Sequence, residues 1–268
     1  MNRIGRVGQG GSPQDWYNSV PFITKVWLTS TLAVTLAVNF GILPAGHLFL
    51  NFPLIWKKFQ FWRLLTNFTC MGKLGFGTLI TFYMLYSYSE KYETGGCFNT
   101  GGGGGVSDYA FMMMFGMVVM NIIGYFMNTP FMAQPLVFFV MYVWSRRFPD
   151  LTVSFMFGVK IQSIYAPWAY VAFQILLGNS PFMALLGIAV GHLYYFLAEI
   201  VPDQYDFEIL KTPVFMIHYF GYGAYHPVNT APAAQRGSVN GTGGQPANSS
   251  FPMPGGRQWG QGHVLGTN

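Results

Sequence analysis

Few residues of this chain have the type and setting for covalent chemistry, and the best placed of them is His192. It directly follows Gly191 in the apolar stretch Ala184–Pro202, ALLGIAVGHLYYFLAEIVP. An ionisable group at membrane depth is costly, so His192 is expected to face protein or a watery cavity rather than lipid. In a membrane-embedded hydrolase such a histidine would act as general base to a serine on a neighbouring helix. It would have to reach the serine oxygen at about 2.6–3.2 Å, with glycines letting helix and loop close around the nucleophile. The serine context that this needs, Gly-x-Ser-Gly, occurs nowhere in the chain. The segment that would carry it, PLVFFVMYVWSRRF, is bulky throughout, and its one serine, Ser145, stands beside Arg146 and Arg147. The chain is therefore read as a non-enzyme without metal or other cofactor. The alternative is an intramembrane protease with a nucleophile outside that motif.

The helix that would position His192 has a second feature. Gly187 and Gly191 are four residues apart, on one helical face, and this spacing lets a neighbouring backbone approach closely. The rest of the chain fits a membrane setting. Of 268 residues 51% are hydrophobic and only 9% charged, against roughly 25% charged in a soluble domain. That length holds about six helices of ~20 residues plus loops and a tail. The fold class is thus all-α, a polytopic six-helix membrane bundle. The net charge of +5 is spread thinly along the edges of the apolar segments, which argues for membrane orientation and against nucleic acid.

In chain order, a polar N-terminal arm covers 1–20 and a six-span membrane domain covers 21–202. A juxtamembrane segment covers 203–227, and a Gly-, Pro- and Ser-rich tail, expected to be disordered, covers 228–268. The first span, from about Phe22 to Leu43, is rich in Thr and Ser, which suits packing against protein or water. The connection Pro44–Leu74 mixes aromatic and basic residues and is expected at the headgroup boundary. The second span offers only Phe76–Tyr88, short of the ~20 residues that cross a bilayer core. Loop 89–108, with the glycine run Gly101–Gly105, reads as a solvated hinge. The third span, Tyr109–Met127, is methionine-rich, as a deformable packing face would be. A fourth covers about Phe131–Trp144, an interfacial stretch Thr152–Tyr165, and a short fifth span Ala166–Leu177. The sixth is the glycine helix. The turns 128–130 and 178–181 contain no Lys or Arg, while Lys25, Lys91, Arg146 and Arg147 fall at the opposite ends. Positive charge on the inner side then puts both termini in the cytosol. Cys70 and Cys97 would lie on opposite sides of the membrane, unable to pair or to share a metal. A solute transporter would need paired charges at broken helices, which the span interiors lack.

An ordered set of motifs now resembles one family. Trp62-Arg63 in the first loop, VSFMFG at 153–158 and GHLYYFL at 191–197 after the G-x-x-x-G are similar to the derlins, catalytically dead members of the rhomboid superfamily. The resemblance runs from about Trp16 to Tyr222 and continues to the last residues. It implies a rhomboid-like bundle in the endoplasmic reticulum membrane that helps misfolded proteins cross to the cytosol for degradation. Trp62 and Arg63 would hold the lumenal loop in the membrane surface, and Gly187 and Gly191 would close the helix core. Short helices around a lateral gate would thin the bilayer, and polypeptide substrates would pass a polar, partly hydrated groove beside the first two spans and the Trp-Arg loop. The partners implied are misfolded polypeptides, a membrane ubiquitin ligase complex, membrane lipid and further derlin copies in homo- or hetero-oligomers.

The extreme tail carries one more signal: Trp259, Gly260, Gly262, Leu265 and Gly266, with His263 between them. Glycines let an extended strand lie flat on a partner while the aromatic and the leucine fill pockets. This is similar to the SHP box by which derlins bind the valosin-containing AAA ATPase. Sequons fall at Asn67, Asn240 and Asn248. The tail pair would stay unmodified in the cytosol, and Asn67 would lie too near the membrane to be reached.

Overall fold

The computed structural model describes residues 12–95, 105–155, 158–205 and 209–220. The chain divides into a unit spanning Met1–Val228 and a second spanning Asn229–Asn268, and every described residue belongs to the first. The expectations for Cys97, for the glycines at 101–104, for the tail 228–268 and for its motif at 259–266 lie outside the described residues.

The N-terminal arm is partly helical, since Ser12 and Asp15 form a reciprocal capping box that starts α1 (Pro13–Ser19). Next comes α2 (Phe22–Asn39), followed by a first loop with two short helices, α3 (Phe52–Lys58) and α4 (Arg63–Thr66). The chain continues through α5 (Phe76–Thr94), α6 (Gly105–Met127) and α7 (Ala133–Arg147). Within the stretch expected at the interface the chain forms an antiparallel hairpin, β1 (Thr152–Ser154) with β2 (Lys160–Gln162), in which Val153 pairs with Ile161. Then follow α8 (Ala166–Leu176), α9 (Phe182–Tyr195), a π turn (Phe196–Ile200), α10 (Val201–Tyr205) and α11 (Val214–Phe220). Among the described residues, three helical runs are long and apolar enough to cross a membrane: Phe22–Asn39, Gly105–Met127 and Phe182–Tyr205.

The middle of the bundle is α7. From Pro135 to Ser145 every residue is buried, as a helix that is apolar on all sides requires. Against it pack α5, α6, α8 and, most extensively, α9. The methionines of α6 split between faces: Met112, Met113 and Met120 are buried in the core and Met114 is exposed.

The second helix corrects the sequence expectation. It runs on past Tyr88 to Thr94, 19 residues in all, because the polar residues after Tyr88 have partners inside the protein. Pro21, at the N-cap of α2, has no side-chain group to cap with. Glu93 takes that role from α5: Oε1 accepts the Ile23 N–H at 2.9 Å, and Oε2 accepts the Thr24 N–H at 2.8 Å and its hydroxyl at 2.7 Å. The Thr24 hydroxyl lies 2.7 Å from that of Ser89, which lies 2.6 Å from the Tyr109 hydroxyl on α6. A buried carboxylate is tolerated here because both oxygens meet donors at the positive end of a helix. Replacing Glu93 with Ala is expected to cost about 2–4 kcal/mol, since charge-assisted bonds and a cap are lost together. Thermal unfolding in detergent should place Glu93→Gln, which keeps one acceptor oxygen, between the two proteins.

Contacts fix which helix ends lie together. At the end just described, Arg147 is buried, lies over the Tyr92 ring at 5.3 Å and pairs with Glu199 of the π turn at 2.6 Å. Thr212, just before α11, donates to Asp108 at 2.5 Å. At the other end Asn39 bonds the Gly72 carbonyl and the Leu74 N–H, Leu50 N–H reaches the Pro130 carbonyl, and Met132 N–H the Asn67 carbonyl.

Candidate functional site

The two glycines of α9 sit against the backbone of α7. A Cβ on Gly187 would overlap the Pro135 carbonyl oxygen and come within 2.8 Å of the Phe138 Cβ. On Gly191 it would stand 3.0 Å from Tyr142 Cδ1 and 3.3 Å from the Phe139 carbonyl oxygen. Side chains there would hold the helices apart, so the spacing sets the depth of the seam.

His192 projects at the edge of this seam and is exposed. Its Nδ1 lies 2.9 Å from the Tyr142 hydroxyl, which also accepts from Arg146 Nε at 3.0 Å. Arginine can only donate, so the hydroxyl turns its own proton to Nδ1, and a neutral His192 carries its proton on Nε2. The histidine thus lies near the arginine end of α7. Ser145, the serine closest in sequence to this trio, is buried and donates to the Tyr142 carbonyl at 2.7 Å. The partner of His192 is a tyrosine held by an arginine, an arrangement that orients rings and prepares no serine nucleophile.

The first loop separates its two motif residues. Trp62 is 52% exposed, while Arg63 is 3% exposed. The Arg63 guanidinium donates to the carbonyls of Gly46 at 2.8 Å and Phe49 at 2.9 Å, and to Gln60 Oε1 at 2.7 Å. It also lies over the Phe49 ring at 5.3 Å. A planar fork of donors is suited to gathering several carbonyls at once, and Arg63 thereby ties together the two halves of the loop. Trp62 joins Trp56, Phe59, Phe61 and Leu65 on an exposed apolar rim. Asn67 is fully buried and donates to the Arg63 carbonyl at 2.8 Å and to Asn121 Oδ1 at 2.9 Å. Its sequon is therefore masked by packing in the folded chain.

One feature of the site was not anticipated at this place. A cavity of about 560 Å³ opens between the start of α5, the end of α8 and the start of α9. The sequence places a polar groove beside the first two spans and the Trp-Arg loop. The cavity instead touches the last part of that loop and lies against the second and fifth helices. Its polar lining comes from Lys73, Thr78, Gln134, Gln174, Asn179 and Ser180. The Asn179 amide donates to Gln174 Oε1 at 2.8 Å, and Gly77 leaves room for Asn179, whose Nδ2 would stand 3.1 Å from a Cβ placed there. Phe76 of the lining meets Phe173 edge to face, with ring centroids 6.5 Å apart. The 11 residues of α8 span about 17 Å at 1.5 Å per residue, well short of a hydrocarbon core of about 30 Å. A cue was present in Gln174 and Asn179, two amides five residues apart across the α8–α9 turn.

A helical membrane protein with a glycine-closed seam, an arginine-tied loop and an amide-lined cavity is the class that fold and site define. The family model for Der1-like proteins matches residues 20–214. The chain is 35% identical to Derlin-1 of Homo sapiens over 259 residues, covering 94% of this chain and 97% of that protein. It is 33% identical to a probable derlin-2 homolog of Dictyostelium discoideum, over 76% of this chain and 81% of that one. With Derlin-1 of Arabidopsis thaliana it shares 36% identity over 75% of each. The chain belongs to the Der1-like family, the derlins, and membership implies a role in ER-associated degradation.

Proposed function

We propose that this chain is a retrotranslocation factor of the endoplasmic reticulum membrane, a rhomboid-like pseudoprotease with six spans and both termini in the cytosol. The observation that carries the proposal is the amide-lined cavity beside the short α8 in an otherwise apolar bundle. Misfolded polypeptides enter there, where amide groups offer both donors and acceptors to an unpaired main chain and the bilayer is thinned beside the short helix. The basic residues Lys25, Lys91, Arg146 and Arg147 at one end of the helices support cytosolic termini. Pulling force comes from the valosin-containing AAA ATPase, bound through Trp259, Gly260, Gly262, Leu265 and Gly266, and a membrane ubiquitin ligase complex marks the substrate. The chain works beside further derlin copies.

Photo-crosslinking groups at Thr78 and Ser180 test the entry path in cells whose ATPase is inhibited. Adducts with a stalled misfolded substrate are expected at both positions. Adducts only at lipid-facing controls such as Leu79 would reject this path. The tail has its own test, a peptide of residues 250–268 titrated onto the N-terminal domain of the ATPase. Binding near micromolar, roughly −8 kcal/mol, is expected. Trp259→Ala and Leu265→Ala should each weaken it at least tenfold, about 1.4 kcal/mol, and binding indifferent to both would remove the ATPase link.

A further inference from the structure

We infer that the segment Leu210–Phe220 is a releasable strap. Docked on α6, it closes the arginine end of the bundle over Asp108, and a pull on the chain beyond it lifts it before any span moves. The starting point is α6 itself. From Gly105 to Met113 none of its residues is exposed, whereas farther along Met114, Val118 and Ile122 are. Part of the cover over that first third is α11, which packs against α6. The contact is anchored where Thr212, itself buried, donates to the buried Asp108 at 2.5 Å across 104 residues of sequence. Leu210 packs on the core just before the anchor, and Met216 and Ile217 are buried just after it.

This hold is one-sided. Val214, Phe215 and Tyr219 of the same helix are exposed, so α11 is fixed along one face. With 7 residues it is too short to keep its form alone in water, and undocking melts it rather than freeing a rigid arm. The element before it in the chain is held far better: α9 has its glycine seam against α7, and its π turn is pinned by the Arg147–Glu199 pair. Parts of a structure with few buried contacts open first. A load entering from the C-terminal side must also pass Phe220 before it can reach α9, by chain order alone. The strap therefore yields before the seam. Its release uncovers Asp108, whose charge also acts on the buried Arg147. Water admitted there raises the local dielectric and weakens the junction of α6, α7 and the π turn. The load itself rests on the retrotranslocation proposal, in which the ATPase pulls on residues 259–266, whereas the docking rests on geometry.

The test uses the purified full-length chain in lipid bicelles, held at its two termini in magnetic tweezers. Rising force is expected to give a reversible low-force step before any span unfolds. Its length is at most about 40 Å, the reach of residues 210–220 at ~3.6 Å each. Thr212→Val, nearly isosteric, should raise the open fraction at a given force at least tenfold. A step from α1 at the other terminus is told apart because that substitution does not move it. Hydrogen exchange without force gives a second reading. In Thr212→Val and in Ile217→Ser, exchange at residues 217–220 and carbodiimide labelling of Asp108 should speed up together, with α9 unchanged. A first step that takes α9 with it, or opening that neither variant changes, overturns the strap. So does Asp108 labelling that stays at the parent rate while α11 exchanges faster. No ATPase or misfolded substrate enters these measurements, so their failure leaves the retrotranslocation proposal to its own crosslinking test.

Discussion

Gly187→Ala is expected to be among the most damaging single-methyl changes in this membrane domain. The added Cβ would occupy the place of the Pro135 carbonyl oxygen and press on the Phe138 Cβ. Neither neighbour is the free end of a flexible side chain: one is backbone of the buried stretch Pro135–Ser145 of α7 and the other is the root of a buried ring. Relief requires α9 to move away from α7 along its main seam. Overpacking of this kind typically costs about 1–3 kcal/mol and occasionally more, and the rigid neighbours put Gly187→Ala at about 3 kcal/mol. Gly191→Ala should cost less, because its nearest neighbours, Tyr142 Cδ1 at 3.0 Å, Tyr142 Cβ at 3.1 Å and the Phe139 carbonyl oxygen at 3.3 Å, need to give by only a few tenths of an ångström. Thermal unfolding of both variants in maltoside micelles gives the order. Equal melting temperatures for Gly187→Ala and the parent protein would show that the seam is looser than its geometry.

The seam was legible in the sequence because close helix approach depends on residue size and spacing alone. Two glycines four apart in an apolar helix give the face and, by implication, a backbone as neighbour. The identity of that neighbour, Pro135 on α7, depends on tertiary arrangement and leaves no local mark. Glu93 shows the opposite limit. Ser89-Glu90-Lys91 looks like the end of a span when polarity is read along the chain. The helix nonetheless continues to Thr94, because the polar groups of residues 89 and 93 are consumed by α2 and α6. Satisfaction across helices 65–70 residues apart cannot be read from a window. The hairpin at 152–162 escaped for a related reason: three-residue strands carry too little alternation to stand out. The place of the cavity was not legible, since it depends on α8 ending where Gln174 and Asn179 meet the start of α5. Most of the tail motif's evidence is compositional, and its role rests on a partner outside the chain.

Arg63→Ala should unravel the first loop, whereas Trp62→Ala should leave it folded. The adjacent pair reads as one motif, but the two side chains meet different surroundings. Removing the guanidinium deprives the Gly46 and Phe49 carbonyls and Gln60 of a shared donor at a position only 3% exposed. Bonds to a charged group contribute about 1.5–3 kcal/mol each, and the acceptors left dry add to the loss, so a total of at least about 4.5 kcal/mol is expected. Lysine should recover little, because a single ammonium cannot span three acceptors with the reach of a planar fork. Trp62 contributes exposed apolar surface, and its truncation should change stability in detergent by about 0.5 kcal/mol or less, while weakening the hold of the loop on a bilayer. Limited proteolysis separates the two effects. Arg63→Ala should open residues 44–66 to cleavage in micelles, and Trp62→Ala should match the parent there. Similar cleavage of the two variants would mean that the pair acts as a unit and that the division of labour drawn from burial is wrong.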